Sequence, residues 1–307
     1  MPAYPLLIIL GPTASGKTQL AVQLAAALNG EVISADSRQV FKGMDIGTGK
    51  DLNEYIIGCK KIPYHLIDIK DAGERYNVNE FKDDFYRVFE QLSSSGKLPV
   101  LCGGTGMYIH SLLQNQEFTA VPVDLELRAS LSPLDIYALR DRLSTYPDLL
   151  TKHADQSSHK RLIRAIEIAE YLQKHELAAV KRPEIRPLII GLNPELTIRR
   201  ARIEERLRLR FEQGLIAEVE QLKAAGLTDE MLDFYGLEYK FIGSYLRDEL
   251  SLDELKDRLF IAICQFAKRQ MTFFRKMEKD GVTINWLDTT LNSNQLYDRA
   301  LALLADY

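Results

Sequence analysis

The sequence predicts an α/β protein, and three observations predict it. Short apolar runs alternate with helical patterns along most of the chain, which implies βαβ units and a parallel sheet. Gly11-Pro12-Thr13-Ala14-Ser15-Gly16-Lys17-Thr18 fits G-x-x-x-x-G-K-[ST] at every fixed position, the pattern of a phosphate loop between a strand and a helix. One long stretch, Gln114–Arg186, holds no convincing strand and reads as a helical insertion. The expected fold is therefore a P-loop NTPase-like parallel sheet flanked by helices, with a helical insertion domain.

The elements follow in order. Pro5–Leu10 reads as a buried strand and Thr18–Leu28 as the helix after the loop. Glu31–Ala35, His65–Ile69, Leu98–Cys102, Arg186–Leu192 and Thr283–Leu287 are the other strands. Asn79–Leu92 and Thr105–Leu113 are helical. Helices are expected around Leu134–Leu143 and His159–Lys174, between breakers at Pro122, Pro133 and Pro147. The last third reads as helices over Thr197–Ala225, Ser251–Lys279 and Asn294–Ala305. This divides the chain into a first part of the core at 1–113, the insertion at 114–186, and a completion of the core at 187–307.

Composition narrows the class. The chain has 307 residues, 46% hydrophobic and 27% charged, in the range of a soluble globular protein. The net charge of −4 means that any nucleic-acid contact must come from local patches. The three cysteines, Cys59, Cys102 and Cys264, are far apart, without metal-ligand spacing and odd in number. That points to a reducing, cytoplasmic compartment. The N-terminal apolar run is too short for a signal peptide or a membrane span.

The phosphate loop carries the clearest chemistry. Its glycines let the backbone wrap closely around an anion, and the helix N-terminus presents N–H groups to it. Lys17 would neutralise phosphate charge and the Thr18 hydroxyl would ligate Mg²⁺; a Gly-rich turn without a ligand is the alternative. Asp36 follows the second strand, where strand ends form the rim of the ligand crevice. It suits a general base, a partner of Mg²⁺, or a helix N-cap. Gly103-Gly104-Thr105-Gly106 suits either close approach of a ligand or a tight turn. Arg199, Arg200, Arg202, Arg206, Arg208 and Arg210 crowd one helix, as a solvated face or as the source of one guanidinium for a departing phosphate. Lys160-Arg161 with Arg164, Lys268-Arg269 and Arg275-Lys276 are further basic clusters, solvated faces or RNA contacts. Phe260, Phe266, Phe273, Phe274 and Trp286 read as core, and His65 as structural. No Asn-Lys-x-Asp guanine signature is present, which argues against a GTPase.

With these residues laid out, the chain resembles the tRNA dimethylallyltransferases over nearly its whole length. The resemblance rests on Gly11–Thr18, on the run Ile33-Ser34-Ala35-Asp36-Ser37-Arg38-Gln39-Val40-Phe41-Lys42-Gly43-Met44-Asp45-Ile46-Gly47-Thr48-Gly49-Lys50, and on His65–Ile69. It continues in Gly96–Val100, Gly103–Gly106, Lys160–Glu167 and Ala267–Thr272. It implies transfer of a dimethylallyl group from dimethylallyl diphosphate to N6 of an adenosine beside the anticodon, in tRNAs reading U-starting codons. It implies Gly11, Pro12, Thr13, Ala14, Ser15, Gly16, Lys17 and Thr18 on the diphosphate, with Mg²⁺ at Thr18. It makes Asp36 the base, with Arg206, Thr13 and Thr105 as its catalytic partners. It places Asp36, Ser37, Arg38, Gln39, Thr105, Lys160, Arg161, Leu162, Ile163 and Arg164 against tRNA. A cytoplasmic monomer without a membrane partner is expected.

Four segments depart from the family pattern. Leu237-Glu238-Tyr239-Lys240 carries Glu238 where a glycine is usual, and Ile263-Cys264 replaces Thr-Arg. Phe273 stands for Trp, and Gln156-Ser157-Ser158-His159 for His-Pro-Asn-Asp. The alternatives are a small-molecule kinase, which has no reason to keep Gln39–Lys50, and a non-catalytic RNA-binding descendant, which would not need Asp36, Lys17 and Arg206.

Overall fold

The computed structural model describes residues 4–114, 117–152, 154–178 and 180–305. Strand β1 (Tyr4–Leu10) runs into the phosphate loop and helix α1 (Lys17–Ala27). Then come β2 (Gly30–Ser34), a single 3₁₀ turn (Leu52–Tyr55), the small hairpin β3 (Ile56–Ile57) and β4 (Lys60–Lys61), and β5 (Tyr64–His65). Helix α2 (Val78–Ser94) starts with a capping box between Asn77 and Glu80. β6 (Leu98–Gly103) and α3 (Gly106–Leu113) follow.

Asn115–Lys181 forms one of two compact units. Its helices are α4 (Leu125–Leu131), α5 (Ile136–Ser144), α6 (Asp148–Thr151) and α7 (His159–Lys174). Leu162, Ile166 and Ala169 repeat at helical spacing on α7 and pack with Leu131, Leu139 and Leu143 into a core of their own.

The other unit joins Met1–Gln114 to Arg182–Tyr307. It resumes with β7 (Ile185–Leu192), α8 (Leu196–Glu212), α9 (Leu215–Ala224), α10 (Asp229–Tyr235) and α11 (Leu237–Leu246). The long α12 (Leu252–Lys279), β8 (Asn285–Leu287) and α13 (Ser293–Ala305) complete it. Six strands form one sheet in the order β5-β2-β6-β1-β7-β8, every pairing parallel. Because side chains alternate along a strand, Leu6, Ile8 and Leu10 face one core with α2, α3 and α12. Leu7 and Ile9 face the other with α1. Both faces of β1 are buried, which is why it reads as an unbroken apolar run.

Three expectations are corrected. The strand expected over His65–Ile69 stops at His65, because Leu66 and Asp68 take left-handed backbone with φ of 61° and 57°. The helix expected over Thr197–Ala225 is two helices, broken at Gly214 with φ of 97°. Helices α10 and α11 lie where none was expected, separated by Gly236. Among the described residues no helix is long and apolar enough to cross a membrane.

Candidate functional site

Strands β2, β6 and β1 are neighbours, so the loops leaving their carboxyl ends lie side by side at one rim. A cavity of about 500 Å³ opens there, lined by Thr13, Lys17, Thr18, Asp36–Gln39, Gly103–Gly106, Arg206 and Arg210. The same lining holds apolar side chains, Tyr55, Leu237, Ile263, Phe266 and Phe273, alongside polar ones such as Asp233, Glu238 and Lys240. Phe266 is exposed and forms cavity wall rather than the core packing expected; Phe273 is half-buried, packing against the core while it also lines the cavity, and Phe274 is fully buried.

The phosphate loop meets its geometric requirements. Gly16 takes φ of 84° and no side chain caps α1, so the first N–H groups of the helix face the loop without a competing side-chain acceptor. Lys17 Nζ donates to Pro12 O at 3.3 Å. Burial lowers the Lys17 pKa, against the attraction of Cys102 and Asp36. Beside Thr18, burial and the neighbouring Asp51 push Glu54 above the ordinary carboxylate range, while Arg206, Lys17 and a hydrogen bond with Thr18 oppose this. The same loop lines a second cavity of about 370 Å³ with Gln23, Glu54, Arg202 and Arg206.

Asp36 sits just past β2, with Oδ1 accepting from Arg38 N at 2.9 Å. Thr105 Oγ1 accepts from Ser37 N at 3.1 Å, which ties the β6 turn to the Asp36 loop. Gln39 Nε2 donates to Gly49 O at 3.0 Å, and Gln39 Oε1 accepts from Ser34 Oγ at 2.9 Å. Arg38 lies 5.1 Å over the Phe234 ring; burial lowers its pKa while Asp36 raises it. The run Gln39–Lys50 folds back on itself and is pinned from α9. The Glu218 carboxylate accepts from three successive amides, those of Asp45, Ile46 and Gly47, and from the Tyr239 hydroxyl. Buried Lys50 joins Asp45, Asp68 and the Phe41 carbonyl.

The arginine run on α8 divides by position. Arg208 pairs with Glu205 and Glu212 on an exposed face, Arg199 donates to Asn193, and Arg200 lies over Phe260. Arg206 and Arg210, one turn apart, point into the large cavity. Arg206 donates to Gly49 O at 3.2 Å and pairs with Asp51.

The residues expected on tRNA fall into two groups. Asp36–Gln39 and Thr105 line the cavity. On the helical unit, only Lys160 and Arg161 are exposed, Arg161 pairing with Asp155 at 2.9 Å. Leu162 and Ile163 are buried in that unit's core, so their side chains offer nothing to an outside partner. Arg164 is committed inward: it donates to the carbonyls of Phe118 at 3.0 Å and Val121 at 2.8 Å and pairs with Glu167.

Residues 39–277 match the family described as IPP transferase. The chain belongs to the IPP transferase family. It is 48% identical over 304 residues, 99% of each chain, to tRNA dimethylallyltransferase 1 of Parabacteroides distasonis. It is 50% identical over 283 residues, 92% of each chain, to tRNA dimethylallyltransferase 1 of Geotalea uraniireducens. Among solved structures, the tRNA isopentenylpyrophosphate transferase of Bacillus halodurans superposes with a TM-score of 0.70 at 32% identity, covering 98% of this chain and 97% of that one.

In this IPP transferase one further residue of the site was given no role by the sequence. Gln270, which the sequence places in the family run Ala267–Thr272 without a role, is buried on α12 and bridges two loops. Its Oε1 accepts from Thr13 N at 2.9 Å and its Nε2 donates to Gly104 O at 3.0 Å. A methyl group at Gly104 would come within 2.3 Å of that amide nitrogen, which explains the glycine there. Glu238, the departure from the family pattern, pairs with Arg210 at 3.1 Å.

Proposed function

We propose that this IPP transferase moves a dimethylallyl group from dimethylallyl diphosphate to N6 of an adenosine next to the anticodon of tRNAs reading U-starting codons. The observation that carries the reading is one cavity lined together by a phosphate loop, a carboxylate and apolar side chains. The diphosphate would lie on the loop, held by Lys17 and the amides at the start of α1. The prenyl chain would lie along Ile263, Phe266 and Phe273. N6 attacks C1 of the prenyl group, the C–O bond to the diphosphate breaks, and the N6 proton passes to Asp36. The diphosphate gains charge as it leaves, and Lys17 and Arg206 stabilise that charge. The target base must leave its stack to reach such a site.

A divalent cation fits the residues present. Mg²⁺ usually takes one or two protein oxygens, substrate phosphates and several waters. The Thr18 hydroxyl with the nearby Glu54 carboxyl suits that donor set; among the described residues no group of three or more ligating side chains exists to hold an ion alone. When bound it would neutralise diphosphate charge. Lys160 and Arg161 would add phosphate contacts to the RNA, and the protein would act as a cytoplasmic monomer.

The test supplies dimethylallyl diphosphate, Mg²⁺ and unmodified tRNA, followed by nucleoside mass analysis for N6-dimethylallyladenosine. Its absence, with label moving from γ-labelled ATP to a small acceptor, would favour the kinase instead. Asp36→Asn is expected to lower turnover about 10²–10⁴-fold while diphosphate binding holds. Near-full turnover at saturating substrates would remove Asp36 as the base.

A further inference from the structure

We propose that Arg210 is a second guanidinium on the departing diphosphate, held in its resting position by Glu238. The proposal rests on the prenyl-transfer reading and adds a residue to it. Arg210 is 8% exposed, and its buried Nε–H has no hydrogen-bond partner in the structure. Buried polar groups are almost always paired, so an orphan N–H on a residue that lines the cavity calls for an acceptor. Among the described residues one of its nitrogens meets a carboxylate: Nη1 donates to Glu238 Oε1 at 3.1 Å.

The rest of the geometry points to an anion. A methyl built on Gly49 would stand 1.7 Å from Arg210 Nη2 and 2.6 Å from Arg206 Nη2, so two guanidinium groups converge on one spot. Burial first, and then the charge of Arg206, draw the Arg210 pKa down, the signature of like charges held close with too little compensation. A gap of about 10 Å³ lies between both arginines and Thr13–Ala14 of the phosphate loop, closed by Ile203, Leu207 and Ile263. A diphosphate on that loop brings the charge and the acceptor oxygens that Asp51 and Glu238 supply only in part. Arg210 gives hydrogen bonds and moves no proton. Glu238 competes with the diphosphate for Nη1 and keeps the guanidinium aimed when the site is free.

The experiment is calorimetric titration of the full chain with inorganic pyrophosphate and Mg²⁺, with tRNA affinity measured in parallel. Arg210→Met, matched in length, is expected to weaken pyrophosphate about tenfold to hundredfold, as loss of a charge-assisted hydrogen bond does, with tRNA affinity at the parent's value. Glu238→Gln is expected to tighten pyrophosphate several-fold by removing the competing charge. A folded Arg210→Met protein with the parent's pyrophosphate affinity overturns the proposal, as does one that loses tRNA affinity alone. If Arg210→Met does not fold, unchanged or weaker pyrophosphate binding in Glu238→Gln overturns it. Prenyl transfer is measured in neither arm, so failure of the function reading shows separately, as missing prenylated adenosine in a chain that still uses Arg210.

Discussion

Helices α7 and α8 both carry basic runs, and the fold gives their arginines different surroundings. On α7 the key acceptor is Glu167, 2% exposed, which takes the side chains of Arg128 and Arg164 and the Asp124 amide. Arg164, with Arg128 from α4, serves a carboxylate already inside the fold, while Arg161 pairs with Asp155 at the surface. On α8 the carboxylates are fewer than the donors that face the cavity: Asp51 meets Arg206, Glu238 meets Arg210, and one guanidinium N–H stays unfilled. Charge density alone does not separate a structural arginine from a ligand-binding one. What separates them is whether the protein itself supplies every acceptor.

That contrast can be broken at several points, from the largest effect down. Glu167→Ala should cost about 3 kcal/mol of stability, because it leaves two guanidinium groups around an emptied buried site. Urea unfolding checks this, and a loss below 1 kcal/mol would make the cluster a surface feature. Burial pushes the Glu167 pKa up, but the hydrogen bonds from Arg128 and Arg164 outweigh it and hold it below the usual carboxylate value. Its stabilising contribution is therefore full above the unfolded value and lost as pH falls through the lower, folded one. The acid limb of the stability profile should flatten in Glu167→Gln.

Arg206→Ala should raise the barrier of the chemical step by about 2–4 kcal/mol and leave stability nearly unchanged. Single-turnover rates at saturating tRNA and donor measure it; parental rates would return Arg206 to a solvated role. Arg164→Met should do the reverse, losing about 1–2 kcal/mol of stability through its carbonyl contacts while prenyl transfer per folded molecule stays level. The smallest effect is expected from Lys160→Glu with Arg161→Glu. Stability should hold within about 1 kcal/mol, and the salt dependence of tRNA binding should shallow by about two in slope. An unchanged slope would take α7 off the RNA surface.

How much of this was legible in the sequence depends on the distance between partners. β1, the phosphate loop and α1 are local in sequence and followed from periodicity and glycine spacing. Asp36 followed from strand-end logic. The arginine run was visible, but α8 had to be packed against the cavity before Arg206 and Arg210 separated from Arg208. Gln270 was visible in the run Ala267–Thr272, but its bridging role was out of reach, since its partners Thr13 and Gly104 lie 257 and 166 residues away. Leu162 and Ile163 show the opposite failure: the motif they belong to suggested RNA contact, while their plain apolar character indicated the core they occupy. Helix α10 and the strand end after His65 turn on left-handed or glycine backbone, which periodicity does not register.

The Glu218 clasp also sets an order of events during synthesis. The loop that follows Asp36 is held by a carboxylate emitted from the ribosome 173 residues after Asp45. The phosphate loop waits longer still, for Gln270. β1 cannot complete its pairing until β7 has been made. A nascent chain ending before α9 thus carries the phosphate loop, Asp36 and Arg206, but neither the Glu218 clasp nor the Gln270 bridge. Such late-closing contacts make folding slow and leave strand edges open meanwhile.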